Sequence, residues 1–521
     1  MAKRTGLGCW FWGFSFVVGL PLLLLILGAL VFMGRERSAR RELNSRLEQL
    51  AAAGMPIDDA TLLDFTDGLT SREHTDAWLG VLKQFGSKEF KEAVGGVPLF
   101  DPQIHTEIPP PGEAWPVDKW PAEQIAIDAA ASAPEEALEL AVSAEGMGAI
   151  DGVDEHQMGM ELQPLMPEER GVDEQTVRKF LARWSELHDR ISQLSMKQLE
   201  PNAKGVRFIE QYDSVNTLLP QTQNMREAAR LLSLHGQLAL YDRDSGQARK
   251  SIEALIGCSK TISGEPILVS QLVTTAIESM SLELLKTGLE HDVFEEADLL
   301  ALLPQFRSAI QICPEWKLAV QGERAMALPV FANPGMVGSG NVRIPARSRD
   351  TLHFLDHMQR ILAIPDDDFD RFLAELKAEE EVMNDLAHGS LLTTFDSILT
   401  SLMSPASGAI GGVFVRRAVQ NRMAVLCMAA RIYEKRNGKW PASLDDLTTM
   451  QLGGMVIDPA ELMPAGGKPF GYKVEEERVV LWGGNLRLDP VTPPEPLKVT
   501  EGDPNAEENE IWIWTMRIRV K

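Results

Sequence analysis

From Cys9 to Met33 the chain carries no charged residue, and Pro21 is its one strong helix breaker. A helix rises ~1.5 Å per residue, so ~20 apolar residues cross the ~30 Å hydrocarbon core of a bilayer. The run is long enough to do so with some tilt, and it predicts one N-terminal transmembrane helix within residues 1–34. Trp10, Phe11, Trp12 and Phe14 sit at its first end, where amphipathic rings favour the lipid–water interface. A cleavable signal peptide has an apolar core of ~7–15 residues and a small-residue cleavage site. Here the run is longer, and Arg35, Arg37, Arg40 and Arg41 follow it. We therefore expect a retained, single-pass anchor. Cys9 precedes the run, whereas a lipidated cysteine follows one.

The positive-inside rule, taken literally, leaves the body on the cytoplasmic side, because more Arg follow the run than precede it. Against that, the N-terminal tail is short, and long domains translocate with little regard to charge. We expect an extracytoplasmic body.

The remaining sequence is polar enough to face water. Its 521 residues suggest two to four domains, and 44% hydrophobic content is ample for real cores. A net charge of −24 argues against nucleic-acid partners, since phosphate contacts need Lys and Arg. Much of the excess lies between Glu123 and Thr176, with fourteen acidic residues against Arg170 alone. That stretch reads as a solvated acidic surface, without calcium-ligand spacing. The cysteines Cys9, Cys258, Cys313 and Cys427 form no C-x-x-C pair, which supports neither a zinc ribbon nor a disulfide framework.

Arg37 to Ala53 reads as a helix continuing the anchor and stopped by Gly54. Val97 to Pro121 is rich in proline, and its Trp115 and Trp120 read as rings closing a core edge rather than as sugar platforms. Two helices flank the tight connection Asp242-Arg243-Asp244-Ser245-Gly246, like one tetratricopeptide-type hairpin without a second copy. Val269, Leu272, Val273, Ala276, Ile277, Met280 and Leu284 predict the buried face of the next helix. Another helix is expected from Glu295 to Ile312, and a long loop from Pro329 to Arg349. Asp366, Asp367 and Asp368 precede Phe369 as helix-capping carboxylates rather than metal ligands. A strong helix from Val413 to Arg436 ends at Gly438. Short strands follow at Phe470 to Val474, Arg478 to Trp482 and Ile511 to Val520. The expected fold is mainly α, with an anchor, a multi-helix body and a small C-terminal α+β module built on an antiparallel sheet. By composition the chain divides into an anchor at 1–34, a helical stem and acidic Pro-rich region at 35–165, and a helical domain at 166–328. A loop at 329–350, a helical segment at 351–412 and the C-terminal module at 413–521 complete it.

Several motifs carry a resemblance. An Ala-rich helix is followed by Tyr433-x-x-x-x-Gly438-x-x-Pro441-x-Ser443-Leu444-x-x-Leu447, then Asp458-Pro459, Gly467-x-Pro469-Phe470-x-Tyr472 and Val479-Val480-Leu481-Trp482. This segment resembles the end of the helix and small sheet of type II secretion pseudopilins. In those proteins the helix continues directly from the anchor, so pilus assembly does not carry over to a chain with a long body between the two. With Leu47-Glu48-Gln49-Leu50, Gly54 and Pro56, the wider layout resembles single-pass membrane-anchored proteins of planctomycete-type bacteria. That resemblance implies no activity, no cofactor and no catalytic residue.

The sharpest candidate for chemistry is His353-Phe354-Leu355-Asp356-His357. On a helix the two histidines are one turn apart, and H-x-x-D-H is close to the H-x-x-E-H zinc peptidase order. A zinc site needs a third ligand, for which Glu379, Glu380 and Glu381 are nearest in sequence; the alternative is two solvated histidines. No P-loop and no G-x-S-x-G elbow occurs, and Gly335-x-x-Gly338-x-Gly340 lacks a strand–helix context. Cys258 and Cys313 read as buried structural thiols. The expectation is a membrane-anchored envelope protein whose partners are the membrane and a protein. The alternatives are an anchored hydrolase, metal-dependent through His353 and His357, and a structural part of a secretion-like assembly.

Overall fold

The computed structural model describes residues 7–100, 108–115, 174–334, 347–388, 397–463, 469–484 and 511–518, apart from a few isolated positions. The acidic segment around Glu123, Trp120, Cys313, and the loop at 335–346 lie outside the described residues. So do most side chains of residues 7–29.

One helix, α1 (Leu7–Ala52), runs unbroken through Pro21 into the body. It stops where expected, at Gly54 with φ +71°, and Met55 N–H closes back on Leu50 O at 3.0 Å. A non-glycine residue would meet its own Cβ in that conformation. Asp58 then accepts from Thr61 N–H at 2.8 Å, which caps α2 (Asp59–Asp67). Two short helices, α3 (Arg72–Leu82) and α4 (Lys88–Ala93), complete the stem. Trp115 is buried edge-on to Tyr241, ring centroids 5.5 Å apart, so it does close a core edge.

The centre is a stack of helices: α5 (Glu174–Arg183), α6 (Ser185–Lys197), α7 (Pro220–Tyr241), α8 (Ser245–Ile262) and α9 (Leu268–Glu290). The α7–α8 turn bends through Arg243 in the left-handed region, φ 58°, and Asp244 caps α8 by accepting from Gln247 N–H. The helices approach closely. A Cβ on Gly257 would stand 2.1 Å from Ser195 O, and one on Gly236 would meet Leu284 Cδ1 at 2.4 Å. α10 (Glu296–Arg307) and α11 (Glu315–Ala332) follow.

Three helical expectations are corrected. The helix from Glu295 ends at Arg307 rather than Ile312. Pro329 does not open a loop, because α11 carries it inside its last turn. The buried face of α9 is rotated from the apolar stripe: Val273, Ile277 and Leu284 are buried, Leu272 and Met280 are only half-buried, and Ala276 is exposed. In their place α9 buries Ser270, Gln271, Thr274, Glu278 and Ser281, whose polar groups find partners apart from Gln271 Oε1. Ser270 Oγ donates to Glu265, Gln271 Nε2 donates to Ser263 O and Glu265 O, and Glu278 takes the Arg417 guanidinium.

Then come α12 (Ser348–Ala363), α13 (Phe369–His388) and α14 (Ile398–Met403). Asp368 caps α13 by accepting from Arg371 N–H at 3.0 Å, so the aspartate triplet does begin a helix. Asp350 on α12 accepts from Leu399 and Thr400 N–H, each at 2.9 Å, and fixes the start of α14.

The longest body helix is α15 (Ser407–Asn437). It packs against α9, α10 and α13, and every residue from Met423 to Ala430 is buried. Among the described residues, the one helical segment long and apolar enough to cross a membrane is Ile398–Asn437, not the N-terminal run. Its most apolar window is 33% buried, and the fully buried run of α15 lies further along. Two of its arginines are engaged within the body: Arg422 donates to Ile310 O, and Arg417 pairs with Glu278.

Gly438, φ +67°, ends α15, and Ser443 with Asp446 forms a capping box on a 3-10 turn at Leu444–Thr449. A small hairpin, β1 (Gln451–Leu452) and β2 (Met455–Val456), precedes the main sheet of β3 (Gly471–Val474), β4 (Arg478–Gly484) and β5 (Ile511–Arg517). The main sheet is antiparallel in the order β3-β4-β5, with Tyr472 opposite Leu481 and Leu481 opposite Trp514. Val479, Leu481, Trp514 and Met516 share the face joined to the core. Val480 and Trp482 point the other way, as the two-residue period of a strand requires. Trp482 is still buried, its ring lying where a Cβ on Gly471 would stand. One hydrophobic cluster joins residues from Trp78 to Met516.

Candidate functional site

His353 and His357 lie on α12, which packs against α1 and α11. His357 is fully buried, with Nδ1 at 3.2 Å from Glu379 Oε2 on α13. Arg360 Nε donates to both oxygens of the same carboxylate, at 2.7 and 2.9 Å. Burial holds the His357 imidazole below its ordinary pKa, against the upward pull of Glu379. Glu379 is therefore committed to a guanidinium and an imidazole, and His353 does not join them. Among the described residues no three His, Cys, Asp or Glu side chains converge as a metal site requires. Asp356, the middle acid of the motif, turns outward to pair with Arg46 of α1. The cluster thus ties α12 to its neighbours.

Cys258 and Cys427 are buried and unpaired, and burial pushes the Cys258 thiol up to about 12. Neither is poised as a thiolate nucleophile.

Two arrangements were not legible beforehand. In the first, His188 on α6 and His235 on α7 stack inside the helical core. In the second, three turns converge on a cleft of 250 Å³ lined by Pro111, Arg243, His291, Asp292, Arg517 and Ile518. Arg243 comes from the α7–α8 turn, His291 and Asp292 from the turn after α9, and Arg517 from the end of β5. Asp292, like Arg243, has a positive φ, 49°. The only sequence signal was the tight Asp-Arg-Asp-Ser-Gly connection; nothing in it revealed which distant residues it would meet.

Comparison with family models, curated proteins and solved structures finds no match to this chain.

Proposed function

We propose that this chain is a membrane-anchored, single-pass envelope protein whose helical body serves as a scaffold for a protein partner. The observation that carries the reading lies on α1. Ile26, Leu27, Leu30, Val31, Phe32 and Met33 are each 47–58% exposed, a density of bare apolar surface that water does not favour. The charged stretch from Arg35 begins one residue later. On the other side of that boundary α1 docks on the body: Ala39 is buried, Glu36 accepts from Ser348 N–H at 2.7 Å, and Arg46 pairs with Asp356. One helix thus carries a face suited to lipid and then a face suited to protein. The scaffold part rests on the layered helical body and on side-chain clusters whose polar groups are engaged in packing. We place the body outside the cytoplasm because long domains translocate with little regard to charge.

Alkaline extraction of membranes tests the anchor. The full chain should stay in the membrane pellet, and a chain lacking residues 1–34 should become extractable. Release of the full chain would overturn the anchor. A compartment-specific reporter fused after Lys521 tests the side, and a cytoplasmic signal would overturn the envelope placement. Proximity labelling from the same fusion should return the same neighbours repeatedly, and labelling no different from a free membrane reporter would overturn the scaffold.

A further inference from the structure

The cleft between the α7–α8 turn, the turn after α9 and the end of β5 carries cationic side chains in a chain of net charge −24. We propose that it binds a small oxyanion, a carboxylate or phosphate group held between the guanidinium groups of Arg243 and Arg517 with the His291 imidazole as a further donor.

Four observations support this. First, the charges lining the cleft do not cancel. Its one lining carboxylate, Asp292, is met by Lys435 Nζ at 3.2 Å and Arg431 Nη1 at 3.8 Å, cations that also lie 3.8 Å from Glu295 and 3.6 Å from Glu434. Arg243 and Arg517 remain on the open side. Glu113 reaches Arg517 only at 3.9 Å, and both of those side chains are more than half exposed, so water screens the pair.

Second, the arginine donors are placed and not exhausted. Arg243 Nη1 donates to His291 O at 3.3 Å, which fixes the side chain over the cleft while a guanidinium has five N–H donors in all. The planar fork suits a carboxylate or phosphate in bidentate fashion.

Third, the position is conformationally costly. An arginine at φ 58° is uncommon, since the left-handed region favours Gly, Asn and Asp. Such outliers persist where surrounding structure insists on them and cluster at ligand sites.

Fourth, the size limits the ligand. At 250 Å³ the cleft falls below the usual ~300–1,000 Å³ of drug-sized sites, which fits an ion or the anionic end of a larger molecule. His291 feels the positive charges of Arg517 and Arg243 and the negative charges of Glu113 and Glu290. Burial, followed by Arg517, keeps its pKa below the ordinary value, so it is neutral and offers one N–H at neutral pH. A bound anion would reverse that pressure and raise it.

The test uses the detergent-solubilised full chain with carbon-13-labelled histidine, inorganic phosphate and acetate as probes, and His291→Gln to assign the signal. We expect the His291 resonance to shift saturably with at least one probe and its titration midpoint to rise on binding. Phosphate alone would mark a tetrahedral site, and both probes a general oxyanion site. Arg517→Gln should weaken binding by about tenfold or more, the weight of a charge-assisted hydrogen bond; its side chain is 56% exposed, so the fold is kept. Arg243→Gln should act in the same direction. No saturable shift with either probe, or binding unchanged in Arg517→Gln, would overturn the proposal.

Discussion

His188 and His235 lie face to face in the helical core, ring centroids 3.6 Å apart and planes 26° from parallel. His188 bonds through Nδ1 to Asp189 at 3.2 Å, and the Nε2 atoms of both rings are buried without a hydrogen-bond partner. Two imidazoles so placed cannot both be charged.

Acid should therefore loosen the α6–α7 contact before it touches ordinary carboxylates. Burial, then the neighbouring His188, lowers His235 to about 3, and burial lowers His188 as well. An unfolded histidine titrates near ~6.5. Below that pH the unfolded chain takes up protons that the folded pair refuses, so stability falls as pH drops from ~6.5 toward 3. The loss should be on the order of a few kcal/mol by about pH 4. Burial depresses His291 and His357 too, so the diagnostic is a comparison. Melting curves of His235→Gln should lose much of the slope between about pH 5 and 6.5, where free carboxylates are still ionised. A slope parallel to the parent chain would place the acid sensitivity elsewhere.

Glycine substitutions should divide by location. Gly257 and Gly322 are points where helix backbones meet other backbone, with Ser195 O and Pro266 O at 2.1 and 1.7 Å from an added Cβ. Backbone cannot swing away as a side chain can, so alanine at either site should cost ~1–3 kcal/mol or more. Gly412, inside α15, has nothing within 4 Å of its would-be Cβ. Alanine there should add ~0.5–1 kcal/mol of helix propensity. Chemical denaturation of the three variants reads this directly, and equal effects at all three would show that the close approaches are misplaced.

The C-terminal module should not fold alone. α15 is buried from several sides, by α9, α10 and α13, and a fragment starting near Pro405 would bare most of that surface to water. We expect such a fragment to lack a cooperative melt. In the full chain, removing residues 511–521 takes away Trp514 and Met516, 4% and 1% exposed, together with the Arg517 carbonyl that Arg431 Nη2 contacts at 3.1 Å. Losing one buried Trp side chain alone costs ~3–5 kcal/mol, so the truncated chain should unfold at a markedly lower temperature. An unchanged melt would detach β5 from the core.

Local signals in the chain were reliable wherever one residue's backbone chemistry decides. Gly54, Asp58, Asp368, Gly438 and Ser443 each cap or stop an element as their side chains, or lack of one, dictate. The strand at Ile511 was legible from alternation, whereas its pairing with β4 comes only from the fold. Periodicity failed on α9, because an apolar count assumes that polar side chains avoid the core. Gln271 and Glu278 are buried there only because Ser263 O, Glu265 O and the Arg417 guanidinium meet them, and those partners lie up to 139 residues away. What the histidine motif does is likewise decided by residues outside it. Its spacing put His353 and His357 on one helix, but Glu379 and Arg360 decide what His357 does. The cleft at Arg243 joins three turns distant in sequence, and no window along the chain contains it.

Arg431 sets an order of assembly on the growing polypeptide. Its guanidinium donates to Leu289 O at the end of α9 and to Arg517 O at the end of β5, 3.0 and 3.1 Å away. Those carbonyls are made 517 − 289 = 228 residues apart, so at ~5–20 residues per second the second follows the first by roughly 10–45 s. From Asn437, where α15 ends, to Arg517 at the end of β5 another 517 − 437 = 80 residues must be added, about 4–16 s at that rate, and until then the strand that covers one flank of α15 does not exist. The nascent chain must carry an uncovered apolar flank for far longer than helices take to form, which makes this flank the place where a chaperone would have to hold it.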